Sequence, residues 1–262
     1  MSQRNESLED IAKELRESYE YCIVFVGDSI TEGARATSAE ETYVAHVARG
    51  LAREYPKRRV IRYDGIRHPT EDGHLLPLLT YGDPIEVQGG EGGTLTVVRS
   101  GIGGNTVRRL LNRTGDFIGK EFGGRRADLF ILNLGINDAL KSDPRKYVTS
   151  AVYGEHLNTL LDEMERGAAG TDIILMTPTY NDDGTSQKSH LAPYVDRMRA
   201  IAEERRIPLI DLHRAWMDHL TVGGENYGQG AWLSGVVGDL CHPSDTGHEA
   251  IARLVLENLK LK

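Results

Sequence analysis

Residues 23–33 read Ile-Val-Phe-Val-Gly-Asp-Ser-Ile-Thr-Glu-Gly. The apolar residues at the start predict a buried strand, and Gly27 and Gly33 allow a sharp turn on either side of the serine. Ser29 is therefore expected just after the C-terminal end of this strand. In open α/β sheets the carboxyl ends of the strands line the ligand crevice. A serine placed there can be a nucleophile if the chain also supplies a histidine, an acid and oxyanion donors.

Apolar runs alternate with amphipathic segments along the rest of the chain. Strands are predicted at residues 22–26, 95–98, 129–134, 173–176 and 208–212. Helices are predicted at 7–19, 40–54, 106–113, 150–166, 190–205 and 244–259, with Ser7 and Ser244 as N-caps. This rhythm predicts an α/β fold in which helices cover both faces of a mainly parallel, five-stranded sheet. We expect residues 1–262 to form a single domain, with an N-terminal helix within residues 1–20.

The segment 62–93 departs from this rhythm. It is rich in Gly, Pro, His and Asp, with a short alternating stretch at 85–87. We interpret it as an inserted loop or β-hairpin at a rim of the sheet, of the kind that forms lids, binding loops or contact surfaces. Such an insertion is compatible with a homo-oligomer, although the sequence fixes no stoichiometry. His68 and His74 lie in it without further ligands at suitable spacing, so no metal site is predicted.

Composition and charge limit the partners. The formal net charge of −8 argues against nucleic acid, because phosphate binding needs basic clusters. No stretch approaches the roughly 18 apolar residues of a membrane span, and residues 1–20 lack the apolar region of a signal peptide. We therefore expect a cytoplasmic protein with no membrane partner. Cys22 and Cys241 cannot build a disulfide framework, and free thiols are the favoured interpretation.

The chemistry-bearing residues follow the predicted strands. Ser29, the glycine-rich turn containing Gly104, and Asn137 all come directly after apolar runs. Because the carboxyl ends of parallel strands meet at one edge of the sheet, these three sites can converge. Near the C-terminus, Asp239 and His242 are three residues apart, so the carboxylate can bind one imidazole nitrogen and leave the other free to take the serine proton.

Ester attack by the serine also requires fixed donors for the tetrahedral oxyanion. The backbone N–H groups of Ser29 and Gly104 and the side-chain amide of Asn137 are the candidates. Gly104 suits a position where substrate approaches the backbone closely. No metal or organic cofactor is implied by this set of residues.

Four segments resemble, in order and spacing, the four sequence blocks of the SGNH (GDSL-type) hydrolase superfamily. They are Gly-Asp-Ser-Ile at 27–30, Gly-Asn-Thr at 104–106, Gly-Ile-Asn-Asp at 135–138 and Asp-Leu-Cys-His at 239–242. The resemblance implies a flavodoxin-like three-layer α/β/α sandwich. It also implies that Ser29, Asp239 and His242 form a catalytic triad, with an oxyanion hole made by Ser29, Gly104 and Asn137.

Further stretches are similar to one branch, the intracellular acetylxylan and xylo-oligosaccharide acetylesterases. These stretches are Gly-Asn-Thr-Val-Arg at 104–108 and Leu-Met-Thr-Pro-Thr-Tyr at 175–180. The branch implies a serine esterase that removes acetyl or other short acyl groups from a small-molecule or oligosaccharide ester. A short-chain aryl or alkyl esterase, a lysophospholipase and a thioesterase stay open within the same chemistry. The polar segments 180–189 and 222–231 favour a hydrophilic substrate. A non-catalytic carbohydrate-binding module is the alternative from another class, and it predicts loss of residues that are present here.

Some residues near these motifs have two interpretations. Asp28 can contact substrate, but a hydrogen-bonding turn residue is the simpler interpretation. Trp232 can stack on a sugar ring or pack against the protein, and the sequence favours neither. Trp216 is expected in the core. Asp245 and His248 are also three apart, but we interpret them as a first-turn acid and a surface histidine of the last helix.

Overall fold

The computed structural model describes residues 7–68, 78–180, 190–222, 232–233, 239 and 241–261. The segments 180–189 and 222–231, which bear on substrate polarity, lie almost wholly outside these residues, as does His74. Within the described part of the chain, no helix is long and apolar enough to cross a membrane.

Strands and helices alternate as the sequence predicts. The strands are β1 (Tyr21–Gly27), β2 (Arg59–His68), β3 (Leu78–Tyr81), β4 (Ile85–Gln88), β5 (Thr94–Gly101), β6 (Leu129–Asn133), β7 (Asp172–Met176) and β8 (Leu209–Ile210). The helices are α1 (Leu8–Glu17), α2 (Ser29–Glu32), α3 (Tyr43–Glu54), α4 (Val107–Leu111), α5 (Ser150–Gly167), α6 (Ala192–Glu204), α7 (Leu212–Val222) and α8 (Asp245–Asn258). Ser7 and Ser244 cap α1 and α8 through their side chains, as predicted.

The sheet is mainly parallel, which confirms the predicted α/β class. Its strands lie in the order β3-β2-β5-β1-β6-β7-β8, and β4 also pairs with β2. All neighbours from β2 to β8 are parallel, whereas β3 and β4 are antiparallel to β2. The sheet therefore has eight strands rather than the predicted five.

The additional strands lie mainly in the segment interpreted as an insertion. β2 begins before that segment and pairs with β5 as an interior strand, so residues 62–68 belong to the sheet. β2 was not predicted from the sequence because it carries charged residues. One of them, Arg62, is fully buried between the carboxylates of Glu40 and Asp64. β3 and β4 pair with different halves of β2 and build the rim of the sheet expected there.

The core lies between the sheet and two groups of helices. Every residue of β1, β6 and β7 is buried, as expected for parallel strands covered on both faces. Helix α3 packs on α8, while α4, α5 and α6 pack in a row. Cys22 is buried in β1, Cys241 is half-buried, and both are free thiols as predicted.

Candidate active site

The serine of the opening motif lies at the first position of a one-turn helix. β1 ends at Gly27, Asp28 caps α2 by accepting a hydrogen bond from Ile30 N–H at 3.0 Å, and α2 begins with Ser29. A Cβ atom on Gly27 would lie 2.1 Å from Oγ1 of Thr31. Only glycine therefore lets the turn fold back over the end of the strand, and this close approach fixes the position of the Ser29 hydroxyl.

A continuous hydrogen-bonded chain joins the serine, the histidine and the acid. Ser29 Oγ lies 2.8 Å from His242 Nε2, and His242 Nδ1 lies 2.8 Å from Asp239 Oδ1. The same carboxylate oxygen accepts the backbone N–H of His242 at 3.2 Å. The structure thus brings Ser29 next to Asp239 and His242, which lie more than 200 positions later in the sequence. The arrangement is the one that a nucleophile, a base and an orienting acid require.

Arg35 binds the second carboxylate oxygen of Asp239, a contact that sequence analysis did not predict. Its Nε donates to Asp239 Oδ2 at 2.5 Å, and its backbone has φ 71°, a left-handed conformation that is uncommon for a residue with a side chain. Burial raises the pKa of Asp239, but the hydrogen bonds from Arg35 and His242 outweigh it and leave the pKa below its ordinary value. The carboxylate therefore stays ionised beside the imidazole.

The two other predicted oxyanion donors border the same serine. Gly104 follows β5 with φ +80°, and a Cβ atom on its neighbour Gly103 would lie 3.7 Å from Ser29 Cβ. Asn137 follows β6, is 7 % exposed, and donates from Nδ2 to Asp28 Oδ2 at 3.4 Å. Since Asp28 directly precedes Ser29, this hydrogen bond places the amide of Asn137 close to Ser29.

Asp28 lies beneath the site. Its side chain is almost fully buried and accepts hydrogen bonds from Ile30 N–H and the Asn137 amide, so its carboxylate is engaged within the protein and a contact with substrate stays a prediction. The interpretation as a turn residue is correct, because the carboxylate caps α2. Burial raises its pKa to about 6, although Ile30 N–H, His242 and Asn137 oppose the rise.

Asp138 is a second buried carboxylate, and sequence analysis did not single it out. Its two oxygens accept the N–H of Val107 at 3.2 and 3.3 Å, which ties the loop of Asn137 to the start of α4, next to Gly104. Burial raises the pKa of Asp138 to about 7; Val107 N–H lowers it, and the charge of Asp28 adds to the rise. Its place in the Gly-Ile-Asn-Asp block was the signal that could have identified it.

Glu32, the last residue of α2, also contacts the residues around Ser29, and sequence analysis did not predict this. Its Oε2 accepts the backbone N–H of Gly103 at 2.7 Å, and its Oε1 lies 3.5 Å from Arg67 Nε. Glu32 therefore joins the helical turn of Ser29 to the turn that carries Gly104, and it pairs with Arg67, a cation of β2.

Trp232 packs against the protein. Its ring stacks on His219 with centroids 3.8 Å apart and meets Trp216 edge-on at 4.9 Å. One face of the indole is therefore covered, which favours packing over stacking on a sugar ring. Trp216 is fully buried, which confirms the prediction that it belongs to the core.

The pair Asp245 and His248 is separate from the triad. Asp245 accepts the backbone N–H and the hydroxyl of Thr37. His248 is fully buried, so the prediction of a surface histidine is wrong; its ring lies between Tyr43 N–H and the carbonyl of Ala34. Burial lowers its pKa to about 4, so it is a neutral structural side chain.

The described residues contain one group of three side chains of the types that bind metals, namely Asp239, Cys241 and His242. The separation of 2.8 Å between His242 Nδ1 and Asp239 Oδ1 is that of a hydrogen bond. These two atoms therefore already bind each other in the hydrogen-bonded series that begins at Ser29. His68, the other histidine considered as a ligand, lies 2.7 Å from Thr80 Oγ1.

Comparison with known proteins identifies a family for this chain. The sequence pattern of the family described as GDSL-like Lipase/Acylhydrolase matches residues 23–255, from β1 to α8. This chain belongs to that family. The GDSL-like segment is residues 27–30, and the match extends over all of the sites described above.

One curated protein is similar to about half of this chain. An uncharacterized esterase of Bacillus subtilis (strain 168), YxiM, is 33% identical over 137 residues, which are 51% of this chain and 34% of that protein. This chain thus spans about a third of the length of that curated relative.

Solved structures share the fold. The acetylxylan esterase Axe2 of Geobacillus stearothermophilus has a TM-score of 0.62 at 24% identity, with 92% of this chain and 95% of that chain covered. A two-domain esterase active on acetylated mannans has a TM-score of 0.62 at 17% identity, covering 97% of this chain and 53% of that one. These similarities establish the SGNH hydrolase fold.

Proposed function

We propose that this protein is a serine esterase that releases acetyl or other short acyl groups from a carbohydrate through an acyl-enzyme on Ser29. The observation that carries the proposal is the unbroken chain from Ser29 Oγ through His242 to Asp239, with both hydrogen bonds at 2.8 Å. A structural turn does not require this chain, because Asp28 already caps α2 without it.

Acylation begins when His242 Nε2 takes the proton of Ser29 as its oxygen attacks the ester carbonyl. The imidazolium that forms is stabilised by the ionised Asp239, which also holds Nδ1 as a hydrogen-bond donor. The oxyanion of the tetrahedral intermediate accepts hydrogen bonds from the backbone N–H groups of Ser29 and Gly104 and from the Asn137 amide. The protonated His242 then donates its proton to the departing alcohol.

Deacylation repeats these roles with water. His242 removes a proton from a water molecule that attacks the acyl carbon, and the same donors stabilise the second oxyanion. The free acid leaves, and Ser29 recovers its proton from His242. Every proton transfer in this cycle uses side chains of the described chain and water.

The carbohydrate part of the proposal has separate support. The stretches at 104–108 and 175–180 resemble those of acetylxylan and xylo-oligosaccharide acetylesterases. Among proteins of the same fold, one acts on acetylxylan and another on acetylated mannans. These observations favour an acetylated, hydrophilic alcohol over a lipid or a thioester.

Acyl-chain selectivity tests the proposal. Hydrolysis of 4-nitrophenyl acetate, butyrate and octanoate is compared with acetate release from acetylated xylo-oligosaccharides, with Ser29→Ala as the control. We expect a preference for acetate, release of acetate from the sugar, and loss of activity in Ser29→Ala. A preference for octanoate without acetate release would move the assignment to a lipid esterase or thioesterase. Full activity of Ser29→Ala would refute the mechanism, and a wild-type protein inert to all these esters and to a serine-directed phosphonate would indicate a binding module.

A further inference from the structure

Cations border the oxyanion side of the candidate active site. A Cβ atom on Gly104 would lie 3.4 Å from Nζ of Lys146 and 3.5 Å from Nη1 of Arg109. Because both cationic atoms lie close to the same point, they are no more than about 7 Å from each other. The space in front of Gly104, an expected oxyanion donor, is therefore flanked by two positive charges.

The charge of Lys146 also influences the loop that carries His242. Burial raises the pKa of the Cys241 thiol to about 12, and the positive charges of Arg35 and Lys146 oppose that rise. The ammonium of Lys146 thus acts on the loop that carries His242 as well as on the turn of Gly104. Its side chain is 19% exposed, so the charge is held at the site rather than extended into solvent.

Carboxylates of the described residues neutralise these cations only in part. Lys146 Nζ lies 3.6 Å from Asp143 Oδ2, but Arg145 already binds both oxygens of Asp143 at 3.0 and 3.2 Å. The contact recorded for the Arg109 guanidinium is a neutral one, a donation from Nη1 to the Gly104 carbonyl at 3.1 Å. Among the described residues, these two cations thus have one carboxylate partner, Asp143, which contacts Lys146 and is shared with Arg145.

A third cation lies beside Gly103, the neighbour of Gly104. A Cβ atom on Gly103 would lie 3.2 Å from Nη1 of Arg67 and 3.7 Å from Ser29 Cβ. Arg67 is paired with Glu32 at 3.5 Å, so its charge is compensated. The excess of positive charge is therefore located on the Gly104 side, in a chain whose net charge is −8.

We propose that the ester substrate carries a carboxylate that binds between Lys146 and Arg109 in front of Gly104. This proposal rests on the proposed esterase function and names its substrate class, an ester of an acidic molecule such as an acetylated uronic acid. A guanidinium offers several N–H donors in a fixed plane and an ammonium offers a point charge, which together suit a carboxylate. The local cations also offset the repulsion that an acidic protein exerts on an anionic substrate.

Pairs of substrates that differ in one charge test this proposal. On the alcohol side, 4-acetoxybenzoate is compared with 4-acetoxybenzamide, and O-acetylated glucuronic acid with O-acetylated glucose. On the acyl side, 4-nitrophenyl hydrogen adipate is compared with 4-nitrophenyl methyl adipate. We expect kcat/KM to favour the anionic member of at least one pair by about tenfold at low salt, and less at 0.5 M salt. The pair that shows the preference identifies which side of the ester bears the carboxylate.

Matched variants locate the effect. In Lys146→Gln and in Arg109→Gln, which remove the charge and keep a polar side chain, the ratio of kcat/KM between the anionic and the neutral ester should fall toward one. Arg126→Gln is the control, since Arg126 is exposed and paired with Glu121 away from the site; it should leave both ratio and rate unchanged. A wild-type ratio of one or less for every pair overturns the proposal, as does a preference that both variants retain. Hydrolysis of the neutral esters by wild type but not by Ser29→Ala would show that the esterase function itself stands in either case.

Discussion

At the scale of single residues, Asn137 illustrates how the site is prepared before substrate arrives. A side-chain amide has two N–H donors, and Asn137 gives one hydrogen bond to the buried carboxylate of Asp28 at 3.4 Å. We expect the remaining N–H to be the one that binds the oxyanion. Donors that are already fixed do not have to reorganise when the oxyanion forms, which is why such groups are effective.

Replacing Asn137 with alanine should lower kcat by about 10²- to 10³-fold with a small change in KM, because the lost hydrogen bond is made mainly to the transition state. Steady-state kinetics with 4-nitrophenyl acetate measures this. Asn258→Ala is a suitable control, since that amide donates to the carbonyl of Leu254 within α8. An unchanged kcat in a folded Asn137→Ala protein would remove Asn137 from the oxyanion hole.

Arg35 is a positioning residue, because it acts on substrate only through Asp239. In Arg35→Ala the carboxylate loses one of the hydrogen bonds that lower its pKa, so the pKa of Asp239 should rise. The acidic limb of the kcat/KM profile should then move to higher pH, with kcat reduced by about tenfold and partial recovery in Arg35→Lys.

Full pH–rate profiles of the Arg35 variants provide the measurement. Arg214→Ala is the control, since Arg214 is an exposed arginine of α7 that lies 3.9 Å from Asp218. If Arg35→Ala lowered stability alone and left the acidic limb in place, Arg35 would be a structural residue without influence on the triad.

At the scale of elements, three strand ends and one helical turn are held together by carboxylates. Glu32 links the end of α2 to the turn after β5, and Asp138 links the loop after β6 to the start of α4. Each carboxylate accepts backbone N–H groups that a turn would otherwise leave without partners. The positions of the proposed oxyanion donors therefore depend on contacts between elements more than on the conformation of any one loop.

Glu32→Ala should lower kcat by about tenfold or more, because the N–H of Gly103 loses a charged acceptor and the neighbouring Gly104 is no longer fixed. Glu32→Gln, which retains an acceptor oxygen, should lose less. Kinetics of the two variants is compared with Glu163→Ala, which alters an exposed glutamate of α5. Equal rates for all three would show that this contact does not position the oxyanion donors.

At the scale of the whole molecule, Asp138 couples stability to pH. Its pKa is about 7 in the folded protein and should be near 4 when unfolded. The folded state therefore holds the proton of Asp138 more tightly than the unfolded state does. The contribution of this protonated carboxyl to the free energy of unfolding is complete below about pH 4 and is lost as the pH rises through 7. Relative to wild type, Asp138→Asn should gain about 2 kcal/mol of unfolding free energy between pH 5 and pH 8.

Urea denaturation at pH 5, 7 and 8 measures this difference. Asp143→Asn is the matched control, because hydrogen bonds from Arg145 lower the pKa of Asp143 to about 2, so its titration lies below the range tested. A free-energy difference between Asp138→Asn and wild type that stays constant from pH 5 to pH 8 would contradict the raised pKa.

The sequence by itself determined the fold class, the family and the residues proposed for catalysis. Local signals were sufficient, because apolar runs ending in Gly27, Gly101 and Gly135 mark the strands of a parallel sheet and place polar residues at their ends. Amphipathic segments predicted the helices, and serines at their starts predicted the caps of α1 at Ser7 and of α8 at Ser244.

Only the tertiary structure decided what depends on distant partners. β2 is a strand because its charged residues find carboxylates elsewhere: Arg62 is neutralised by Glu40, twenty-two positions away. Asp28 is buried, and Arg35, Glu32 and Asp138 support the site, through contacts that no periodicity records. Burial and pairing of charge are properties of the packed chain, since the cost of removing a charged group from water depends on what surrounds it.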